Sequence, residues 1–487
     1  MKSSASTQRV GARHRRCRPA TGCILVPFCI ATLLGCSPAD DPPTGIRTPT
    51  GGPSFTLNPV RPDGRPKYLD EIFAEIAAHV PGYAGTYYDA DGTPITNLVD
   101  LSRGPDAERA IGFLINNGKN GEGPRKSKLK KVAHDFLKLK EWKDKATLTL
   151  LARPYVVSVD IDEANNRLKI GVANGAEEAN ANRFLRENKI PGLVATMIPV
   201  DTSPDYNRPP GSPETLRNTQ SLYGGVAIHP GVTKTCSLGF NAMLSVIDGN
   251  GSTRLYSYDH FFVTASHCMW SLGYPSNTPI YQNNDQYGNT RIIGYEFRQP
   301  EWLGQERYYD CPGGSRCSTA ESALIRYNAP WGGARIARVS GNPGTNSITL
   351  DPYYPPWQVA DSVGDNTLLN GATLYKVGQT TGWNQGTVTE TCANYRISLG
   401  GNPTQFVALC QWSASFGSAG GDSGGPVFKN KFGYYPQVQL VGNVWAGISS
   451  VSTFSFYPYI AYELTTRDTQ SVCSSQPCWP RLTVSNN

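Results

Sequence analysis

The chain has 487 residues, a formal net charge of +6, an aromatic fraction of 10% and 50 glycines. That length allows about three domains of ordinary size, each with a core of its own. The modest charge, with no basic block, excludes a protein that coats nucleic acid, and the glycine and aromatic content suits a β-rich globular protein rather than a disordered one.

Lys2, Arg9, Arg13, Arg15, Arg16 and Arg18 precede an apolar run from Cys23 to Gly35. The run is too short to span a bilayer as a helix, and with its basic flank it predicts a secretory signal over residues 1–35. It ends in Leu33-Leu34-Gly35-Cys36, which resembles the lipobox of bacterial lipoproteins. The resemblance implies acylation of Cys36 and a membrane anchor; the other reading is an ordinary signal peptide with a chance cysteine. Of the 12 cysteines, Cys17, Cys23 and Cys29 lie in the removable segment, eight lie beyond position 230, and Cys36 is left over. An even set plus one acylated cysteine leaves no orphan thiol, which favours the lipoprotein.

Residues 36–66 are Pro, Gly, Asp and Thr with hardly any large apolar side chain, and predict a disordered tether. Residues 67–205 predict a small α+β domain. "YLDEIFAEIAAHV" reads as a helix, and "KLKKVAHDFLKLKEWKDK" puts Leu129, Val132, Phe136 and Leu139 on one helical face with a solvated lysine face around it. "YVVSVDIDEANNRLKIGVAN" predicts two strands about a turn at Asn165-Asn166, followed by a helix "AEEANANRFLREN" and a strand "LVATMIPV". A Pro-rich linker and processing region, 206–221, ends this part. From 222 to 487 lysine is scarce and short β-like runs alternate with turn residues, the texture of an all-β barrel or sandwich.

Two motifs in that last part carry chemistry. In Gly421-Asp-Ser-Gly-Gly-Pro426, glycines let a tight turn hold the N–H groups of Gly421 and Ser423 toward a developing oxyanion while Ser423 offers a nucleophile. In Phe262-Val-Thr-Ala-Ser-His-Cys268 an apolar strand delivers His267, an imidazole that titrates near working pH and serves as base to a serine. A metal site is disfavoured, since no cysteines nearby have paired ligand spacing and an exported chain favours disulfides.

Together these residues resemble the chymotrypsin-like serine proteases of the bacterial streptogrisin-type branch. The resemblance runs from Leu222 to about Arg467 through "CSLGFN", "FVTASHC", "ALIRY", "VGQTTGWNQGTVTETC" and "GGDSGGPVF". It implies a double antiparallel β-barrel, with His267 and an acid from the first barrel, Ser423 from the second, and peptide substrate between them, cleaved through an acyl-enzyme without a cofactor or metal. Where the family has Asp-x-Ala-Leu this chain has Glu321-Ser-Ala-Leu324, an arm longer by one carbon–carbon bond, about 1.5 Å. Glu321 is the expected acid; Asp285, Asp310 and Asp361 are the alternatives. Gly417, six residues before the nucleophile, would leave a neutral pocket floor that favours a large apolar P1 residue. Trp445, Ala446 and Gly447 are expected at the pocket wall, with Trp445 as core filling the other reading.

Family likeness pairs Cys236 with Cys268, and proximity suggests Cys311 with Cys317, Cys392 with Cys410, and Cys473 with Cys478. "VSVDIDEANNRLKIGV" resembles strands of family pro-regions, which implies a zymogen whose α+β pro-domain assists folding and occupies the cleft until cut near Ser221–Leu222. An independent binding domain is the alternative for that part. For the whole chain the alternatives are an inactive protease fold that serves as a surface binding module, or an esterase with the same triad.

Overall fold

A computed structural model of the chain describes residues 57–484 except 116–125, 155, 197–213, 232–233, 248–252, 284–289, 365–367, 398–404, 432–435, 449 and 466–478. The signal, Cys36, the Cys473–Cys478 pair and Asp285 therefore lie outside the described residues. Among the described residues no helix is long and apolar enough to cross a membrane.

The N-terminal part begins earlier than composition suggests. Leu57 is buried, and Arg61 bonds Glu71 at 2.9 Å, so the end of the expected tether packs on the first helix. That helix, Leu69–His79, buries Leu69, Ile72, Phe73, Ile76 and Ala77, the i, i+3, i+4 stripe read from sequence. Phe73 meets the edges of Tyr83 and Phe136 at ring distances of 5.7 and 5.1 Å.

The lysine-rich segment departs from expectation. Lys128–Lys131 is a strand paired in parallel with Pro94–Leu98, and Leu129 is exposed. The helix starts only at Phe136, because Asp135 caps it by accepting from the Lys138 N–H at 2.9 Å. The lysine face is not all solvated either. Lys143 is 3% exposed and bonds Asp70 at 2.6 Å.

The strands Val156–Asp162 and Arg167–Val172 turn through Asn165-Asn166 as predicted, with Asn166 at φ 52°. The helix Gly175–Glu187 and the strand Gly192–Thr196 complete the α+β part.

Two curled, mainly antiparallel sheets form the rest, as expected of a double β-barrel. The first is eight-stranded and centres on Phe240–Ile247, Thr253–Thr264 and Ala323–Tyr327. The second contains Gln405–Ala414, Val451–Phe456, Gln437–Ile448, Pro426–Asn430, Thr373–Gly378 and Gly382–Ile397, and it does not end there. Its strand Gly382–Ile397 pairs with Thr373–Gly378 along its first half and with Gln405–Ala414 along its second, and near its C-terminal end, where one side stays open, it takes on the N-terminal strand Val156–Asp162 through Asn394↔Val159 and Tyr395↔Ser158, so the α+β part continues the sheet. An open edge offers unpaired N–H and C=O groups, and a second sheet edge satisfies them. Buried polar contacts back this junction: Lys143 also donates to the Cys392 carbonyl, Lys169 meets Glu390 at 2.5 Å, and the Asn394 amide donates to Thr147 at 3.2 Å.

The segment 214–222, expected to be linker as far as Ser221, is bound to the β-rich body. Leu216 is 1% exposed with its N–H on Ile348 O, Ser221 O accepts from Gln282 at 2.8 Å, and buried Leu222 offers its carbonyl to Asn241 at 2.8 Å.

Candidate active site

Two sheets converge on His267, Glu321 and Ser423. His267 follows the strand Thr253–Thr264 in a single 3-10 turn, Ser266–Cys268, fixed by the Cys236–Cys268 disulfide. That bridge also leaves no thiolate to join His267 as a metal ligand. Glu321 precedes the strand Ala323–Tyr327, which pairs with the His267-bearing strand at Val263↔Leu324 and Thr264↔Ala323. Ser423 sits in the turn before Pro426–Asn430 of the second sheet.

The spacing is short throughout. Ser423 Oγ lies 3.0 Å from His267 Nε2, and His267 Nδ1 lies 3.0 Å from Glu321 Oε1. Glu321 is fully buried, and its Oε1 also accepts from the His267 N–H at 2.7 Å and the Ser266 hydroxyl at 3.0 Å, while the Ser266 N–H reaches Oε2 at 3.3 Å. A buried carboxylate needs such donors. With the Nδ1 proton turned to Glu321, Nε2 faces the Ser423 hydroxyl as an acceptor. The alternatives for the acid lie elsewhere. Asp361 pairs with Lys431 at 2.8 Å, and buried Asp310 faces the N-terminal Asp144 and Lys140, its carboxyl pushed up to about 6 chiefly by burial.

The turn that carries Ser423 is held from below. Asp422 accepts from Lys376 Nζ at 2.7 Å, the Thr381 hydroxyl at 2.6 Å, and the Thr380, Thr381 and Ala419 N–H groups at 2.9, 3.1 and 3.2 Å. Burial alone would raise this carboxyl, but Lys376 and the surrounding donors outweigh it and hold it below its ordinary value. Gly421 has φ +95°, and a Cβ there would fall 1.8 Å from the Gln379 amide nitrogen, so only glycine fits. Among the described residues the Gly421 and Ser423 N–H groups have no acceptor, as donors reserved for a ligand oxygen would.

Gly417 is half-buried beside Ser418, and Ala446 and Gly447 are also half-buried. Trp445 takes the other of its two readings. It is 6% exposed, packs edge-on to Tyr395 at 5.9 Å and donates to Gln411 at 2.9 Å, as a core side chain would. Cys311–Cys317 and Cys392–Cys410 are bridged.

Sequence reasoning missed Ser266, Lys376, Gln411 and Ser455. Only Lys376 left a trace: in "TLYKVG" it shares the period-2 face of buried Leu374, where a lysine needs a buried partner.

No known family's sequence profile matches the chain, and no curated protein matches it. Solved structures do. A protease from Nocardiopsis is 18% identical over 54% of this chain and 98% of its own, with a TM-score of 0.31. Thermobifida fusca protease A is 17% identical over 50% of this chain and 95% of its own (TM-score 0.28), and a glutamic-acid-specific serine protease is 19% identical over 48% and 93% (TM-score 0.29). At such identities and scores the likeness says nothing of chemistry, which has to come from the side chains of this chain.

Proposed function

We propose that the chain is a serine endopeptidase that cleaves peptide bonds through Ser423, His267 and Glu321. The observation that carries this reading is the line Ser423 Oγ, His267 Nε2, His267 Nδ1, Glu321 Oε1, with both gaps at 3.0 Å. His267 takes the Ser423 proton as Oγ attacks the scissile carbonyl, and Glu321 stabilises the imidazolium that forms. The tetrahedral oxyanion is met by the N–H groups of Gly421 and Ser423. Collapse expels the amine, which receives the proton from His267; water then repeats the sequence on the acyl-enzyme and frees Ser423. Gly417 offers no charge at the pocket floor, which favours an apolar P1 residue over a cation left unpaired there.

The α+β part acts as a pro-region in this reading. Its support is the shared sheet at Tyr395↔Ser158 together with the resemblance of the strands that form it. Signal and Cys36 acylation would export and anchor the zymogen at the cell envelope, and a cut between the two parts would free the protease. The Ser221–Leu222 bond is fixed on both sides by Gln282 and Asn241, so a cut there has to precede packing of that segment.

Fluorophosphonate labelling of the purified chain after its processing tests the core of the reading. Label on the wild type and none on Ser423→Ala is expected, with hydrolysis of apolar-P1 peptide amides. An unlabelled wild type that hydrolyses nothing would return the chain to a binding module, and hydrolysis of esters but no amides would make it an esterase.

A further inference from the structure

Glu321 has a longer arm than an aspartate, so its backbone has to stand farther from His267 for the carboxylate to meet Nδ1 without folding back. A specific set of groups fixes that backbone. The Glu321 N–H donates to Ser455 Oγ at 2.8 Å, and the Ser455 hydroxyl donates to Gln411 Oε1 at 2.8 Å. The same Gln411 oxygen accepts from Trp445 Nε1 at 2.9 Å. The Gln411 amide nitrogen donates to Thr319 O at 2.9 Å and to Leu409 O at 2.8 Å. Both donor hydrogens and both lone-pair directions of the amide are therefore in use. Gln411 and Ser455 are fully buried.

Gln411 thus holds the acid-bearing segment at two points, directly at Thr319 and through Ser455 at Glu321. The segment is otherwise a crossover. It leaves the strand Ser315–Ser318, which pairs in parallel with Gln405–Ala414 of the second sheet, and enters Ala323–Tyr327 of the first. A crossover between sheets has no ladder of its own, so side-chain bonds set its depth.

We infer that Gln411 is a positioning residue, acting through Ser455 and Thr319, that keeps the Glu321 backbone at the depth a glutamate needs to reach His267. The inference rests on the proposed serine-protease reading and deepens it by saying how a glutamate serves in place of an aspartate.

Gln411→Met keeps the volume and removes the clamp; Ser455→Ala removes only its link to Glu321, in case the first variant does not fold. Each is made in the wild type and in Glu321→Gln, expressed as the full chain, processed, and assayed on an apolar-P1 peptide amide. In the wild type, kcat is expected to fall about tenfold or more with KM within about twofold, and the acid limb of the kcat/KM profile to move to lower pH, because a displaced carboxylate no longer favours imidazolium. In Glu321→Gln, where the acid is already lost, the same changes should cost less than about threefold. Equal losses in both backgrounds, or an unmoved acid limb, overturn the positioning role while leaving the protease reading intact. A wild type that neither labels nor hydrolyses overturns both.

Discussion

Lys376 and Asp422 form an ion pair of 2.7 Å in which both side chains are buried, and Asp422 directly precedes the nucleophilic candidate Ser423. Replacing Lys376 by methionine would leave a carboxylate stranded in the core. The expected cost is about 3–5 kcal/mol of unfolding free energy, with Ser423 labelling lost in whatever remains folded, because Asp422 ties the Ala419–Gly424 turn to Thr380 and Thr381. Chemical denaturation and probe labelling measure the two effects separately. A variant as stable and reactive as the wild type would show that the turn holds its shape without this charge.

Glu321 offers a direct comparison of arm length. Glu321→Gln keeps the shape but removes the charge that favours imidazolium, and kcat is expected to drop by up to about 10⁴, the scale seen for the equivalent change in a Ser-His-Asp protease. Glu321→Asp keeps the charge but retracts it by about 1.5 Å from His267 on an unchanged backbone, and an intermediate loss is expected. Steady-state kinetics on one peptide amide ranks the three. Full activity in Glu321→Asp would mean that the crossover moves freely.

The junction between the α+β part and the second sheet responds to pH in a direction that can be worked out. Glu163 is buried there, and burial together with the charge of Asp70 pushes its carboxyl from 4.5 up to about 8; Asp160 is raised by burial and the charge of Glu390. A carboxyl raised on folding holds a proton that the unfolded chain has already lost. Stability from Glu163 is therefore complete below about 4.5 and lost as pH rises toward about 8. Hydrogen-exchange protection of Val156–Asp162 and Arg167–Val172 should fall over that window, by up to about tenfold per pH unit for one linked proton. Glu163→Gln should flatten the dependence. An unchanged slope in that variant assigns the proton to another group.

Lys143 offers a mechanical test of the same junction. It joins Asp70 at 2.6 Å and the carbonyl of Cys392 with 3% of its surface exposed. Lys143→Met is expected to destabilise the chain by about 3–5 kcal/mol by leaving Asp70 unpaired, and Asp70→Asn with Lys143→Met together by less. Thermal unfolding of the three variants gives the coupling.

Gly424 tests backbone room beside the nucleophile. At φ +92°, a Cβ there would fall 2.2 Å from both Ser237 O and Thr264 Oγ1. Gly424→Ala should abolish labelling of Ser423 and lower the melting temperature; an active, stable Gly424→Ala would mean that the turn can shift as a unit.

Much of this protein is local enough to read along the chain. The stripe of Leu69–His79, the Asn165-Asn166 turn and the glycines around Ser423 follow from periodicity and from backbone angles that only certain residues adopt. The register of Glu321 with Ala323-Leu324 comes instead from the resemblance to the family's Asp-x-Ala-Leu. The helix expected across Leu129 failed because one capping aspartate at 135 outweighs a weak apolar period. The Lys143 ion pair and the Trp445 hydrogen bond were unreadable for another reason: their partners, Asp70 and Gln411, stand far away in sequence, and a strand such as Gln405–Ala414, buried on both faces, has no alternation to betray a working polar residue. Which groups are able to do chemistry, and their order along the chain, can be read from residue types and short motifs. That the Glu321 carboxylate stands 3.0 Å from His267 depends on contacts between segments distant in sequence, among them the Ser455 and Gln411 bonds from the opposite sheet, where no local pattern reaches.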